Sequence, residues 1–331
     1  MKPVCLDSFS NKEIIKWLLD YGDRLDEGPV SSHWRKWAKE SYMKVERGAI
    51  TEAQGVGFGD CQLQSSQVLL HYLTIISYLL FVRRRLNVLS WMHRAQEIMT
   101  ACRVFDLFFS YDVFRQCCVG ALLQTYIDER KHPEILMIGD GYGILAGLIK
   151  LRYPRCKLYL IDIMPALAFQ AIVLGAWLKE AEFSLMISGE RRQCFLPSRG
   201  ADVTFCHAGA LGKLRGKGYD LAINVAGMQE MNKISIRRYF TFLRRHLKPD
   251  GLFYCCNREE KILTGGEVVR FSEYPWLDGD IHLIDEEPPF YRWFFGKAKA
   301  ANSLYMGKIR VPFGRRFDGR MRHRLTRLEQ Q

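Results

Sequence analysis

The chain has 331 residues, enough for one large domain or two, and 48% of them are hydrophobic, an ordinary share for a protein with a real core. Met1–Ser10 shows no charged start followed by a long apolar run, and the longest apolar stretch, Val68–Val82, falls short of the roughly 20 residues of a membrane span. The sequence therefore predicts no secretory leader and no transmembrane segment, and reads Val68–Val82 as a buried helix of a cytoplasmic protein.

The formal net charge of +12 is uneven. Residues 291–331 hold eleven Lys/Arg against Asp318 and Glu329, so +9 of the charge lies there. Such a segment predicts a basic extension, a solvated helix or arm open to anionic partners. The ten cysteines form no C-x-x-C pair and no zinc spacing, which predicts reduced core residues and no metal site.

Residues 1–130 read as a helical region that could serve as a lid, a substrate wall or a dimer interface. Asn11–Tyr21 has apolar residues at helical spacing. Glu27–Ser32 is a Gly/Pro/Ser break, Trp34–Val45 a helix candidate and Gly48–Gly59 a glycine-rich loop. Gln67–Arg84, Trp91–Phe109 and Val113–Ile127 predict three longer helices. Tyr111, Asp112, Arg115 and Gln116 are candidate substrate contacts on the last of them.

The stretch Glu134–Asp162 reads strand, glycine turn, helix, strand, one βαβ half of an open α/β sheet. Glycines allow a sharp turn and a close backbone approach to a ligand. The helix start offers free N–H groups at the carboxyl edge of the sheet, and an acidic residue ending the next strand can accept from two ribose hydroxyls. Gly139, Asp140, Gly141, Gly143, Asp162 and Ile163 are thus candidate contacts for an adenosine-type cofactor. Gly141–Ala146 fits the dinucleotide pattern G-x-G-x-x-A, and Gly139–Gly143 fits the G-x-G-x-G loop of S-adenosylmethionine enzymes.

Further on, Pro165–Lys179 predicts a helix, Phe183–Ile187 and Val203–His207 strands, Tyr219–Val225 a buried strand, Ile234–Leu247 a helix and Leu252–Cys256 a strand. The order of YDLAI, helix, the turn Leu247-Lys248-Pro249-Asp250-Gly251 and a strand matches S-adenosylmethionine-dependent methyltransferases, which favours that cofactor over NAD(P). The runs Asn224–Asn232 (NVAGMQEMN), Phe253–Lys261 (FYCCNREEK) and Glu267–Trp276 (EVVRFSEYPW) are more specific. Over roughly residues 100–290 the chain resembles a family of sugar O-methyltransferases from bacterial surface-polysaccharide and glycoconjugate pathways. The resemblance implies a Rossmann-like class I fold over residues 131–290, with helices on both sheet faces. It also implies methyl transfer to a sugar hydroxyl, with a sugar-containing small molecule or glycoconjugate as partner. Met137 departs from the pattern: it stands where such enzymes commonly carry an acidic residue, and Asp140 is the candidate to take over.

A base for the hydroxyl belongs past the carboxyl ends of the strands. Glu230 is the first candidate, Glu259 the second and His207 the alternative. Gln229, Asn232, Asn257 and Arg258 are placed on sugar hydroxyls or a phosphate, and Asn224 on the cofactor. Two other readings remain open. One is an RNA methyltransferase, disfavoured because the basic charge is confined to the C-terminal segment. The other is a non-catalytic binding protein that kept the fold. A homo-oligomer is compatible with all three.

Overall fold

The computed structural model describes residues 4–21, 31–55, 65–82, 86–101, 107–187, 200–214, 218–296, 303–317 and 319–330. The chain begins with β1 (Val4–Cys5), α1 (Lys12–Tyr21), α2 (Ser32–Glu40), β2 (Tyr42–Glu46) and β3 (Ala49–Gln54). The three short strands pair in the order β1-β3-β2. Three helices follow: α3 (Ser65–Val82), α4 (Val88–Ala101) and α5 (Tyr111–Asp128). Ser110 caps α5, its hydroxyl accepting from the Val113 N–H.

The α/β unit then runs β4 (Glu134–Ile138), α6 (Ile144–Arg152), β5 (Lys157–Asp162), α7 (Met164–Trp177), β6 (Phe183–Met186), β7 (Val203–His207), β8 (Tyr219–Val225), α8 (Lys233–His246) and β9 (Leu247–Arg258). After it come β10 (Glu260–Ile262), β11 (Val268–Arg270), β12 (Ile281–Glu286), β13 (Trp293–Phe295), β14 (Ser303–Met306), β15 (Ile309–Arg316) and β16 (Met321–Arg327). The main sheet has eight strands in the order β12-β16-β9-β8-β4-β5-β7-β6. All pairings from β9 to β6 are parallel, and β16 runs antiparallel between β9 and β12. This is a Rossmann-like sheet, as expected from the sequence.

Its strands are apolar on both faces because helices cover both. On β4, Ile135 and Met137 enter one core with α4–α7, while Leu136 and Ile138 enter the other with α8. Met137 is therefore a core residue at 2% exposure, and no carboxylate could replace it cheaply. The strand order reverses at β4, whose neighbours are β5 and β8, and that switch point opens a crevice at the carboxyl edge.

Four expectations need correction. The helix expected over Trp34–Val45 ends at Glu40, and the loop expected from Gly48 is largely a hairpin, β2–β3, turning at Arg47-Gly48. Tyr42–Glu46 offers only Met43 and Val45 as apolar alternates, of which Met43 packs on the core and Val45 is exposed, too short a pattern to announce a strand. The stretch Val68–Val82 is helical, yet only one side is buried. The basic segment 291–331 is no free arm: β16 fills the place between β9 and β12. Met321, His323 and Leu325 point into the protein, while Arg322 and Arg324 bond Asp285 on β12, at 2.6 and 2.9 Å. Those guanidiniums hold the Asp285 carboxyl well below its ordinary range against the opposing effect of burial. The Glu27–Val30 part of the break and residues 56–59 lie outside the described residues. Cys117, Cys118, Cys156, Cys206, Cys255 and Cys256 are buried free thiols, and Cys5 is an exposed one.

Candidate active site

Everything at the switch point hangs on the turn after β4. Gly139, Gly141 and Gly143 all have positive φ, 72°, 56° and 78°, where a Cβ would be strained. Across from it, Ala226 also sits at φ 58°, an uncommon conformation for a residue with a side chain. Gly227 follows it at the closest approach: a Cβ there would lie 2.7 Å from the Asn224 amide nitrogen and 3.3 Å from the Ile138 carbonyl oxygen.

Asn224 is what ties the two loops. Its amide donates to the Ile138 carbonyl at 2.6 Å, and its oxygen accepts from the Met228 N–H at 3.1 Å and from Asn257 at 2.8 Å. Asn257 in turn accepts from the Gln229 N–H at 3.0 Å. Both asparagines are fully buried and their bonds are spent inside the protein. They position the site and do not face a ligand, unlike the expectation from sequence.

Two carboxylates converge on the turn. Asp140 accepts from the Ala146 N–H at 2.8 Å and so caps α6. Asp162 ends β5 and accepts from the Ile163 N–H at 2.9 Å and from Gln170 at 2.8 Å. Burial pushes Asp140 up to about 8 and Asp162 up to about 7, against the lowering effect of these bonds. Neighbouring negative charge adds to the rise: Asp162 and Asp112 raise Asp140, and Glu230 raises Asp162. No Lys or Arg is paired with either of them among the described residues. Together they make a wall of the crevice that favours a cation or several hydroxyl donors.

Two adjacent cavities meet here, with Trp34, Gly139, Asp162 and Gly227 lining both and Asp140 lining the second. The first is mainly apolar, with Ile161, Ile163, Leu211, Met231 and Tyr239, and His207 at its rim. The second, of about 440 Å³, runs from Asp140 and Gly141 past Glu230, Gln229 and Arg258 to Arg115, Gln116 and Tyr291.

Glu230 lies in the second cavity, 7% exposed and ion-paired with Lys261. His33 on α2 sits beside it, with Nε2 at 3.7 Å from the same carboxylate oxygen and Nδ1 at 3.1 Å from the Thr264 hydroxyl. The Ser31 hydroxyl donates to the Glu230 carbonyl at 2.5 Å and also caps α2. Thus α2 is docked directly on the candidate base, and it brings Trp34 and Trp37 to the cavity wall. Sequence reasoning missed this entire contribution: a His and two Trp on a short helix some 190 residues upstream give no local signal. Tyr291, Phe317 and Met321, far along the chain from the strand ends, were missed too.

The other expected site residues divide. Arg115 lines the second cavity, ion-paired with Asp112 and lying 4.5 Å over the Tyr291 ring. Gln229 and Arg258 line it too, with the Gln229 side-chain oxygen accepting from the Arg258 N–H at 2.8 Å. Four residues are corrected. Tyr111 is a core residue whose hydroxyl donates to the Phe290 carbonyl at 2.6 Å. Asn232 caps α8 by accepting from the Ser235 N–H at 2.8 Å. Glu259 lines neither cavity; its backbone bonds Arg320 and Phe271. His207 lines the first cavity and not the second, so it is apart from Gln229, Glu230 and Arg258; burial and the Arg238 charge lower its pKa. Among the described residues no three or more His, Cys, Asp or Glu side chains gather as a metal site.

No protein-family model matches the chain, and no curated protein does. Some solved structures are similar to part of the chain. The N-methyltransferase NodS from Bradyrhizobium japonicum WM9, in complex with S-adenosyl-L-homocysteine, is 11% identical over 66% of this chain and 87% of that one, with a TM-score of 0.40. The pyocyanin biosynthetic protein PhzM is 13% identical over 44% of this chain, with a TM-score of 0.30, and the match spans 38% of PhzM's length. CalS10, an amino pentose methyltransferase from Micromonospora echinaspora, is 15% identical over 44% of this chain and 50% of that one, with a TM-score of 0.30.

Proposed function

We propose that the chain is an S-adenosylmethionine-dependent methyltransferase whose acceptor is a sugar hydroxyl, nucleotide-linked or in a glycoconjugate. The observation that carries the cofactor assignment is the convergence of Asp140 and Asp162 on a positive-φ glycine turn, with no basic partner for either among the described residues. When bound, the cofactor supplies an electrophilic methyl group on a positively charged sulfonium. Asp162 suits the ribose hydroxyls, and Asp140 answers the ligand's positive charge. The apolar first cavity suits a purine, with Ile163 and Tyr239 on its walls.

The acceptor belongs in the second cavity. Trp34 and Trp37 offer aromatic faces to the C–H face of a sugar ring, and Gln116, Gln229 and Arg258 offer polar groups to its hydroxyls. Glu230 takes the hydroxyl proton. Lys261 holds its carboxylate in place, and alignment in such a cleft is worth several kcal/mol of the barrier. The runs NVAGMQEMN and FYCCNREEK, which carry the sugar O-methyltransferase resemblance, supply the Gln229, Glu230 and Arg258 of this wall.

The test is transfer of a labelled methyl group from S-adenosylmethionine to a panel of nucleotide sugars, free sugars and short oligosaccharides. Product on a sugar oxygen, lost in Glu230→Gln, supports the reading. Transfer to RNA and to no sugar would overturn it.

A further inference from the structure

One helix carries apolar surface that the methyltransferase reading does not use. The described part of α3 is buried along Thr74, Ile75, Tyr78 and Val82. Tyr78 stacks on Trp293 at 4.5 Å, and Thr74 accepts from the Phe295 N–H at 2.8 Å, so β13 is fastened to that side. The opposite side is open. Leu69, Tyr72, Leu73, Ile76 and Leu80 recur at helical spacing and are all exposed, Leu69 to 67% and Leu80 to 59%. Phe81 continues the patch at 64%. A continuous apolar stripe along a helix of this length is more than a monomer in water ordinarily shows.

The neighbouring chain has the same character. β13 pairs with β15, and β15 pairs with β14. That hairpin presents Tyr305, Ile309 and Phe313, exposed to 53%, 75% and 62%. On the hairpin the charge has one sign: residues 303–317 contain Lys308, Arg310, Arg315 and Arg316 and no Asp or Glu, and residues 65–82 contain no Lys, Arg, Asp or Glu, while Arg94 and Arg292 pair with Glu97 and Glu287.

We propose that α3 and the β14–β15 hairpin form a docking surface for an anionic lipid bilayer, with the apolar side chains entering the headgroup boundary and the cations meeting lipid phosphates. This goes beyond the proposed reaction and does not depend on it. Charge decides between occupants. A second copy would bring cations against cations, whereas an anionic membrane satisfies both the apolar stripe and the surrounding charge. RNA would satisfy the cations and leave the apolar stripe in water. Among the described residues no helix is long and apolar enough to cross a membrane, so α3 would lie along the surface.

The test is co-sedimentation of the full chain with vesicles of about one-third phosphatidylglycerol in phosphatidylcholine, beside pure phosphatidylcholine. The expected result is at least about tenfold stronger binding to the anionic vesicles. The double variant Ile76→Glu with Leu80→Glu should lose about tenfold or more of it, and Phe313→Glu should weaken it independently. All are exposed positions, and unchanged thermal unfolding will show that the variants are folded. Equal or absent binding to the two vesicle types overturns the proposal. So does a dimer in sedimentation velocity that Ile76→Glu dissociates, with no vesicle binding. Binding of an RNA oligonucleotide without vesicle binding overturns it as well.

Discussion

Replacing Asp162 by Asn tests whether its carboxylate is there for a ligand or for the fold. The rise of Asp162 from 3.8 to about 7 corresponds to at most ~4 kcal/mol of charge penalty. Solvent in the cavity screens the half-buried group, leaving ~2 kcal/mol. The folded value lies above the unfolded one, so the penalty is absent below about pH 4 and complete only above about pH 7. Asn keeps the shape and the bond from the Ile163 N–H. The Gln170 amide, whose oxygen has no partner, can turn to accept from the new NH₂. Asp162→Asn should therefore match wild type near pH 4 and melt about 3–6 °C higher at pH 8 without ligand. Binding should move the other way: losing charge-assisted bonds from two ribose hydroxyls costs roughly 3 kcal/mol or more, over a hundredfold in affinity. The assay is thermal unfolding at both pH values, with and without S-adenosylhomocysteine. A variant less stable than wild type at pH 8, or one stabilised equally by the ligand, would refute the reasoning.

Other substitutions separate chemistry from architecture. Glu230→Gln should lower kcat about a hundredfold or more with little change in S-adenosylhomocysteine affinity, read by methyl transfer and calorimetry. Gly227→Ala forces a Cβ to 2.7 Å from the Asn224 amide and should cost about 2 kcal/mol while abolishing cofactor binding, which urea unfolding and calorimetry would show. Arg244 on α8 and Asp280 form a buried pair with bonds of 2.6 and 2.9 Å, and Arg244 helps hold the Asp280 carboxyl low although burial opposes it. Arg244→Leu strands that carboxylate and should cost about 3–5 kcal/mol in urea unfolding.

How much of this was legible follows from how local each signal is. The strand Glu134–Ile138, its glycine turn and Asp162 were readable nearly to the residue, because parallel strands buried on both faces are short continuous apolar runs and the turn needs glycines. The strand Met321–Arg327 was not. Its inward residues Met321, His323 and Leu325 alternate with arginines, so it read as part of a charged tail until Asp285 across the sheet showed where those charges go. Helix α3 misled in the other direction: apolar on every side, it read as buried, and its open face shows only in three dimensions. The candidate base was found because it follows a strand at the carboxyl edge. Its neighbours His33, Trp34 and Trp37 come from a distant helix, and only the fold brings them together. The asparagines misled because a polar residue at the end of a strand reads as a ligand contact, while Asn224 and Asn257 instead tie two loops and are fully buried.

The account rests on the crevice at β4 being a site for a cationic adenosine cofactor. The most direct measurement is calorimetric titration of the purified chain with S-adenosylmethionine and S-adenosylhomocysteine at pH 8, with NAD as control and Asp162→Asn alongside. The account predicts micromolar binding of both sulfur ligands, none of NAD, and loss in the variant. Tight binding of NAD, or no binding of either sulfur ligand to the folded wild type, would contradict it.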